Sequence, residues 1–401
     1  MKKNVKSVPE IRFPGFTDLW ELRKVGEFAV ESCEKGHNGQ EALKLTVKLH
    51  TKGVCKMEEK GQGSDNTQYY VRHAGQLIYG KQNFFNGAIG IVPQSLDGYE
   101  STKDVPAFDI DDNVCVEWFY QYIARPGIYK SQEVNCTGTG SKRFHVNAFF
   151  DMNIPIPLIE EQKKISDYFK AIDNLITLQE QRCQVLKRLK QCMLQKMFPK
   201  DGSDTPEIRF PGFTGSWEQR KLGEVFEQTA HFVNPNEEEI ELWSLTVEGG
   251  LTSKTERYNR EFLVKKDNNF KEVRPGEIVY NPMNMTLGAV GYNGMTKSVA
   301  VSGYYTTMIA KNGHDSYYVN TWLKSPQAIS LYKTFATGSL IEKQRVQYST
   351  LSVIPAAFPK HEEQVKIGKL FSSLDNLITL SEKKCKVLKK LKQCMLQKMF
   401  V

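Results

Sequence analysis

Arginine, lysine, asparagine and glutamine side chains on loops are the residue types that hydrogen-bond to the edges of nucleic-acid bases, and nearby aromatic rings offer stacking surface. The chain carries two such sets. The first comprises Lys81, Gln82, Asn83 and Phe84, then Lys103, then Lys142 and Arg143 just after Gly140-Ser141. The second comprises Asn281 and Asn284, Tyr304 and Tyr305, and Lys343, Gln344 and Arg345. Any one of these has the ordinary alternative of a solvated loop residue; as clusters they are stronger.

Catalytic chemistry has no comparable footing. A loop that holds a flipped adenine for methylation reads Asn/Asp-Pro-Pro-Tyr/Phe. The nearest run, Asn281-Pro282-Met283-Asn284, lacks the second proline and the stacking aromatic, so it reads as a loop. No G-x-x-x-x-G-K-[ST] phosphate loop and no Pro-Asp dipeptide of the common metal-dependent nucleases occurs. The seven histidines show no H-E-x-x-H or other ligand spacing, so no metal is expected. Gly138-Thr139-Gly140-Ser141 is too short a glycine-rich run to argue for a nucleotide. The eight cysteines include no C-x-x-C pair and fit free thiols in a reducing cytoplasm. A net charge of +8 leans toward an anionic partner, and no apolar run is long enough to span a membrane.

The elements that must position the two sets are written twice. Pro-Glu-Ile-Arg-Phe-Pro-Gly-Phe-Thr at 9–17 recurs identically at 206–214, each copy leading into a tryptophan, Trp20 or Trp217, and a basic segment. The stretch from Glu160 to Phe198 recurs from Glu362 to Phe400. Between these blocks the two middles differ, yet share a skeleton: Leu45-Thr46-Val47 with Leu245-Thr246-Val247, Gly75–Tyr79 with Gly276–Tyr280, Gly87-Ala88-Ile89-Gly90 with Gly288-Ala289-Val290-Gly291, and Thr139-Gly140-Ser141 with Thr337-Gly338-Ser339. Short β-rich runs punctuated by glycine and asparagine predict a mixed, sheet-rich domain in each half. The candidate base readers fall beside this skeleton, where the halves differ most.

The repeated C-terminal blocks read as long helices. Phe169, Ile172, Ile176, Leu186, Leu189 and Met193 fall on one stripe, and Phe371, Leu374, Ile378, Leu388, Leu391 and Met395 repeat it, with lysine, arginine and glutamine on the other faces. Prolines at 155, 157, 199, 355 and 359 punctuate the ends. Two matching narrow stripes predict a coiled-coil-like pair; the return of the second helix after a whole domain permits an antiparallel pairing, which relates the two halves by a pseudo-twofold axis. The expected fold class is α+β: two pseudo-twofold-related, sheet-rich domains joined by two long antiparallel helices. The expected divisions are 1–157 for the first domain, 158–198 for the first helix, 199–205 for a linker, 206–359 for the second domain and 360–401 for the second helix.

Duplex DNA is itself pseudo-twofold, so a duplicated reader meets two half-sites in opposite orientation. A helix of this length spans roughly 55–60 Å at 1.5 Å per residue and would act as a ruler between them. Because the two middles differ, the expected target is split and non-palindromic. Lys383, Lys384, Lys386, Lys389, Lys390 and Lys392 add a basic helix face suited to spacer phosphates or an acidic partner, or simply to solvent.

These residues resemble the specificity subunits of type I restriction-modification systems. The resemblance covers nearly the whole chain. It is carried by the tandem of variable domain and repeated helix, by Ile154–Ile165 (Ile-Pro-Ile-Pro-Leu-Ile-Glu-Glu-Gln-Lys-Lys-Ile) with its looser second copy Ile354–Ile367, and by the repeated Pro-Glu-Ile-Arg-Phe-Pro-Gly-Phe and tryptophan segments. It implies two target recognition domains reading the halves of a bipartite site in double-stranded DNA. It further implies assembly with two methylation subunits that methylate adenine from S-adenosylmethionine, and with restriction subunits that use ATP and Mg2+. The chain itself is then a non-catalytic subunit that binds no cofactor. The competing readings are a tandem interaction protein that binds peptides or glycans across a coiled-coil spacer, and a self-contained enzyme with an unrecognised site.

Overall fold

The computed structural model describes residues 8–57, 66–138, 140–200, 202–235, 237–253, 269–338 and 344–401. The chain forms two compact units, one made of Met1–Leu178 with Lys384–Val401 and the other of Gln179–Lys383. Unit 1 contains strands β1 (Glu21–Lys24), β2 (Ala29–Ser32), β3 (Leu45–Val47), β4 (Val54–Lys56), β5 (Tyr70–Arg72), β6 (Leu77–Tyr79), β7 (Ile89–Ile91), β8 (Tyr99–Ser101), β9 (Ala107–Ile110) and β10 (Asn153–Ile156). Its helices are α1 (Val116–Ile123), α2 (Pro126–Ser131) and α3 (Val146–Phe150), followed by the long α4 (Ile159–Lys196), which continues into unit 2.

Unit 2 repeats the plan with β11 (Glu218–Lys221), α5 (Leu222–Val225), β12 (Phe226–Thr229), β13 (Phe232–Val233), β14 (Trp243–Thr246), β15 (Gly250–Ser253), β16 (Phe270–Val273), β17 (Ile278–Tyr280), β18 (Val290–Tyr292), β19 (Val299–Ser302) and β20 (Thr306–Ala310). Then come α6 (Ser316–Leu323), α7 (Pro326–Phe335), α8 (Tyr348–Ser352), β21 (Pro355–Phe358) and the long α9 (His361–Lys398). The central antiparallel sheet runs β2-β9-β6-β7 in unit 1 and β12-β20-β17-β18 in unit 2. The fold is mixed helix and sheet, built twice.

The middle strand of each sheet is buried on both faces, because side chains alternate across a strand. Leu77 and Tyr79 join a large aromatic core with Phe108, Trp118 and Phe149, while Ile78 joins a smaller one with Leu45 and Val92. In unit 2, Ile278 and Tyr280 face the large core and Val279 the smaller one. The repeated Gly-Ala-x-Gly sequence has a double cause. Gly87 and Gly288 take left-handed φ values of 74° and 86°, which other residues adopt at a cost. A Cβ on Gly90 would stand 2.7 Å from a Val54 methyl, and one on Gly291 would stand 2.7 Å from the Leu251 backbone nitrogen.

The two repeated blocks that flank each domain turn out to bind one another. Arg12 grips the buried Glu161 with two bonds of 2.7 and 2.8 Å, and Arg209 grips Glu363 with two of 2.7 Å. The same segments close the far ends of the long helices: Ile11 N donates to Lys398 O, and Ile208 N to Lys196 O, each at 2.9 Å. Each copy therefore ties the start of one long helix to the end of the other within a single unit. Beside it, Gln162 accepts from Cys115 N (2.8 Å) and donates to Pro157 O (2.9 Å), and Gln364 does the same with Asp315 N and Pro359 O. The Glu-Gln pair thus locks the helix start to its own domain.

Within each unit the long helices run antiparallel. In unit 1, Phe169 stacks on Phe400 at 5.9 Å and Lys392 binds Asp173 at 2.6 Å. In unit 2, Phe371 stacks on Phe198 at 6.0 Å and Lys190 binds Asp375 at 2.5 Å. Of the expected packing stripe, Phe169, Ile172, Phe371 and Leu374 are buried, and Ile176, Leu186, Met193, Ile378, Leu388 and Met395 are half-buried. Leu189 and Leu391 depart from the expectation and remain 41% and 37% exposed. A two-helix seam covers a strip narrower than the whole apolar face, and only stretches lying against a domain gain a third wall. Each compact unit takes part of both long helices.

Two further expectations are corrected. Phe84 is not presented for stacking; it is fully buried, with its ring 4.4 Å from that of Phe144. The Thr-Gly turn is shared in a different register. Thr137 bridges Arg143 as Thr337 bridges Arg345, and Gly138 and Gly338 take φ values of 115° and 116°. The first copy contains two Thr-Gly dipeptides, and only backbone pairing selects Thr137-Gly138 as the counterpart of Thr337-Gly338.

Candidate nucleic-acid interface

In unit 1 the sequence-predicted stretches converge. β6 delivers the chain into a tight helical turn over Lys81–Asn86. There Lys81 N donates to Asp104 O and Phe144 N donates to Lys81 O, both at 2.8 Å. The Arg143 guanidinium reaches the Asp104 carboxylate at 3.5 Å. Three loops far apart in sequence are thereby laced into one surface. Gln82 and Asn83 are exposed on it, and Lys81 is half-buried. Lys142 is exposed and pairs with Glu133 at 2.7 Å, a hydrogen bond that raises its pKa. Arg143 Nε is buried without a hydrogen-bond partner among the described residues.

Lys81 and Lys103 line a concavity of about 450 Å³ together with Lys35, Tyr70, Arg72 and Glu31. Arg72 is 2% exposed. Its Nε donates to Ser101 Oγ (2.7 Å), and its two terminal nitrogens donate to Ser32 O (2.8 Å) and Val105 O (3.3 Å). Burial lowers its pKa, opposed by the nearby Cys33, Glu31 and Tyr70. The Arg72 and Lys103 cations lie 5.6 and 5.8 Å from the centre of the Tyr70 ring, within cation–π range. Sequence reasoning missed Arg72 and Tyr70, because a search for exposed loop residues passes over a strand, and it also missed the exposed Lys35. The available signal was an arginine interrupting the apolar pattern of β5. Close by, the His37 imidazole meets Glu100 at 2.5 Å, which raises its pKa.

In unit 2, Asn284 N donates to Asn281 O (3.0 Å) and Val346 N donates to Pro282 O (3.0 Å), which brings the asparagine loop against the segment 344–346. Asn284 and Arg345 are exposed, while Asn281 and Gln344 are half-buried. The Asn281 carboxamide is engaged with Met283 N at 3.0 Å. Tyr304 is exposed on the β19–β20 connection, where unit 1 has its Lys103-Asp104 loop; Tyr305 packs against the smaller core, and burial raises its pKa. Lys343, Thr139 and Ser339 lie outside the described residues. Among the described residues no group of histidine, cysteine, aspartate or glutamate could hold a metal ion, and no helix is long and apolar enough to cross a membrane.

Residues 107–188, from β9 into α4, match the type I restriction modification DNA specificity domain family. Over 156 residues the chain is 28% identical to the type I restriction enzyme MjaVIII specificity subunit of Methanocaldococcus jannaschii, a match spanning 38% of this chain and 33% of that one. Its fold is similar to the solved S subunit of a type I restriction-modification system from M. genitalium, with a TM-score of 0.60 and 12% identity over 98% of this chain and 99% of that one. A chain solved in work on the assembly and conformational transition of the type I R-M system aligns with a TM-score of 0.51 and 17% identity, over 97% of this chain and 99% of that one. Residues 107–188 are thus similar to a type I restriction modification DNA specificity domain, and the fold of the chain is similar to that of a solved type I S subunit.

Proposed function

We propose that this chain selects the DNA sequence on which a type I restriction-modification complex acts, and is not itself a catalyst. The observation that carries the reading is the duplication: one sheet plan occurs twice, with its skeleton retained and its polar loops replaced. Recognition domains over 1–157 and 206–359 each read one half of a split, non-palindromic target. The helices over 158–198 and 360–401, with the linker 199–205, set the unread spacer. In the first domain the reading side chains are Lys81, Gln82, Asn83, Lys103, Lys142 and Arg143; in the second they are Asn281, Asn284, Tyr304, Tyr305, Lys343, Gln344 and Arg345.

Two methylation subunits, holding S-adenosylmethionine, and restriction subunits using ATP and Mg2+ supply the chemistry in the cytoplasm. The test is to map methylated adenines genome-wide in cells carrying this chain, lacking it, or carrying it with residues 29–150 exchanged for another domain. A split motif that vanishes with the chain and changes in one half after the exchange supports the reading. A change in both halves overturns it.

A further inference from the structure

Two units folded on one plan provide an internal comparison, because each position in one has a counterpart showing what the fold alone requires. In unit 1, β5 pairs with β8, and Arg72 on β5 donates to Ser101 on β8. In unit 2, β16 pairs with β19, and the same two ladder positions hold Val273 and Val301, both fully buried. The fold is therefore satisfied by two valines. Unit 1 instead buries a guanidinium whose bonds go to a hydroxyl and two carbonyls, none of them an anion. Burying a cation without a paired anion costs stability. Such a group persists where a ligand supplies the missing charge.

The surroundings identify that ligand. The lining of the concavity combines Lys35, Arg72, Lys81 and Lys103 with one carboxylate, Glu31. The counterparts of Lys81 and Lys103 in unit 2 are Pro282 and Gly303, and the counterpart of Tyr70 is Lys271, whose ammonium already donates to Tyr305 O at 2.7 Å. Resting on the DNA-reading function above, but moving Lys81 and Lys103 from base edges to the backbone, we propose that this concavity binds a backbone phosphodiester of duplex DNA, and that the matching described positions of unit 2 do not. The excess of cations matches a phosphate, and a space of about 450 Å³ admits the flanking sugars. Unit 1 then supplies a sequence-independent grip at this position, and the matching position of unit 2 does not.

The experiment uses the full chain and a fluorescent duplex of arbitrary sequence, titrated across a salt series. Lys81→Ala and Lys103→Ala test the rim. Arg72→Val with Ser101→Val writes the residues of unit 2 into unit 1, a combination that the duplicated fold accommodates. Each lost phosphate contact should reduce the slope of log K against log salt by about 0.9 and weaken binding several-fold on every sequence. Cys33, an exposed thiol on the lining, gives a second readout: DNA should slow its alkylation by iodoacetamide in the unaltered chain and not in the Arg72/Ser101 variant. DNA that binds with an unchanged slope while Cys33 stays equally reactive overturns the site. A loss confined to duplexes of one base sequence also overturns it, in favour of base reading. An unaltered chain that binds no duplex at any salt refutes the DNA-reading function itself.

Discussion

The pairing of Arg12 with Glu161 makes a quantitative prediction about why Pro-Glu-Ile-Arg-Phe-Pro-Gly-Phe occurs twice. Glu161 is fully buried, Arg12 retains 13% exposure, and the bidentate contact spans 149 positions of sequence. Arg12→Met leaves a buried carboxylate without its cation, a loss of about 3–5 kcal/mol. Unit 1 has about two hundred residues, for which each kcal/mol moves Tm by roughly 2–4 °C, so the expected fall is about 6–20 °C. Adding Glu161→Met to Arg12→Met removes the stranded charge and should restore most of that loss, because an apolar pair of similar volume can replace a buried ion pair at little cost. Thermal unfolding followed by the fluorescence of Trp20 and Trp118, both buried in unit 1, measures all four corners of the cycle. A coupling below about 0.5 kcal/mol, with the double variant no more stable than Arg12→Met, would refute the reasoning and reduce the repeated segment to a helix cap.

Other perturbations probe different parts of the molecule. Gly291→Ala places a methyl 2.7 Å from the Leu251 backbone nitrogen and should destabilise unit 2 by about 1–3 kcal/mol in denaturant melts, as overpacking does; wild-type stability would show that the β15–β18 contact yields freely. Half-buried Lys324 has its pKa pushed down to about 8, first by burial and then by Lys190. A lysine lowered in the folded state disfavours folding while it must be charged, so stability should rise with pH from about 8 toward its ordinary value near 10.4, and Lys324→Met should stabilise the chain at pH 7 by up to about 3 kcal/mol with the gain fading above that range. His37 behaves oppositely, because its bond to Glu100 raises its pKa. The support it gives the loop is complete below its ordinary value near 6.5 and is lost as pH rises through the folded value, so amide protection around Gly36 and His37 should fall over that interval and stay level in His37→Gln.

The amino-acid sequence by itself settled whatever is local or repeated. Stripe spacing marked α4 and α9, glycine and asparagine punctuation marked the short strands, and self-comparison showed one plan used twice, because periodicity and repetition need no knowledge of distant partners. Only the tertiary structure decided which residues meet across long separations. Arg12 finds Glu161, Lys81 and Lys103 come to share a concavity with Arg72, and Phe84 sinks into the core although its neighbours Gln82 and Asn83 stay outside. The physical reason is that burial and electrostatic pairing are set by what packs against a residue, and a loop of polar character carries no local record of that. Even the Thr-Gly register, invisible in a sequence with two equal choices, follows from the backbone bonds between Thr137 and Arg143.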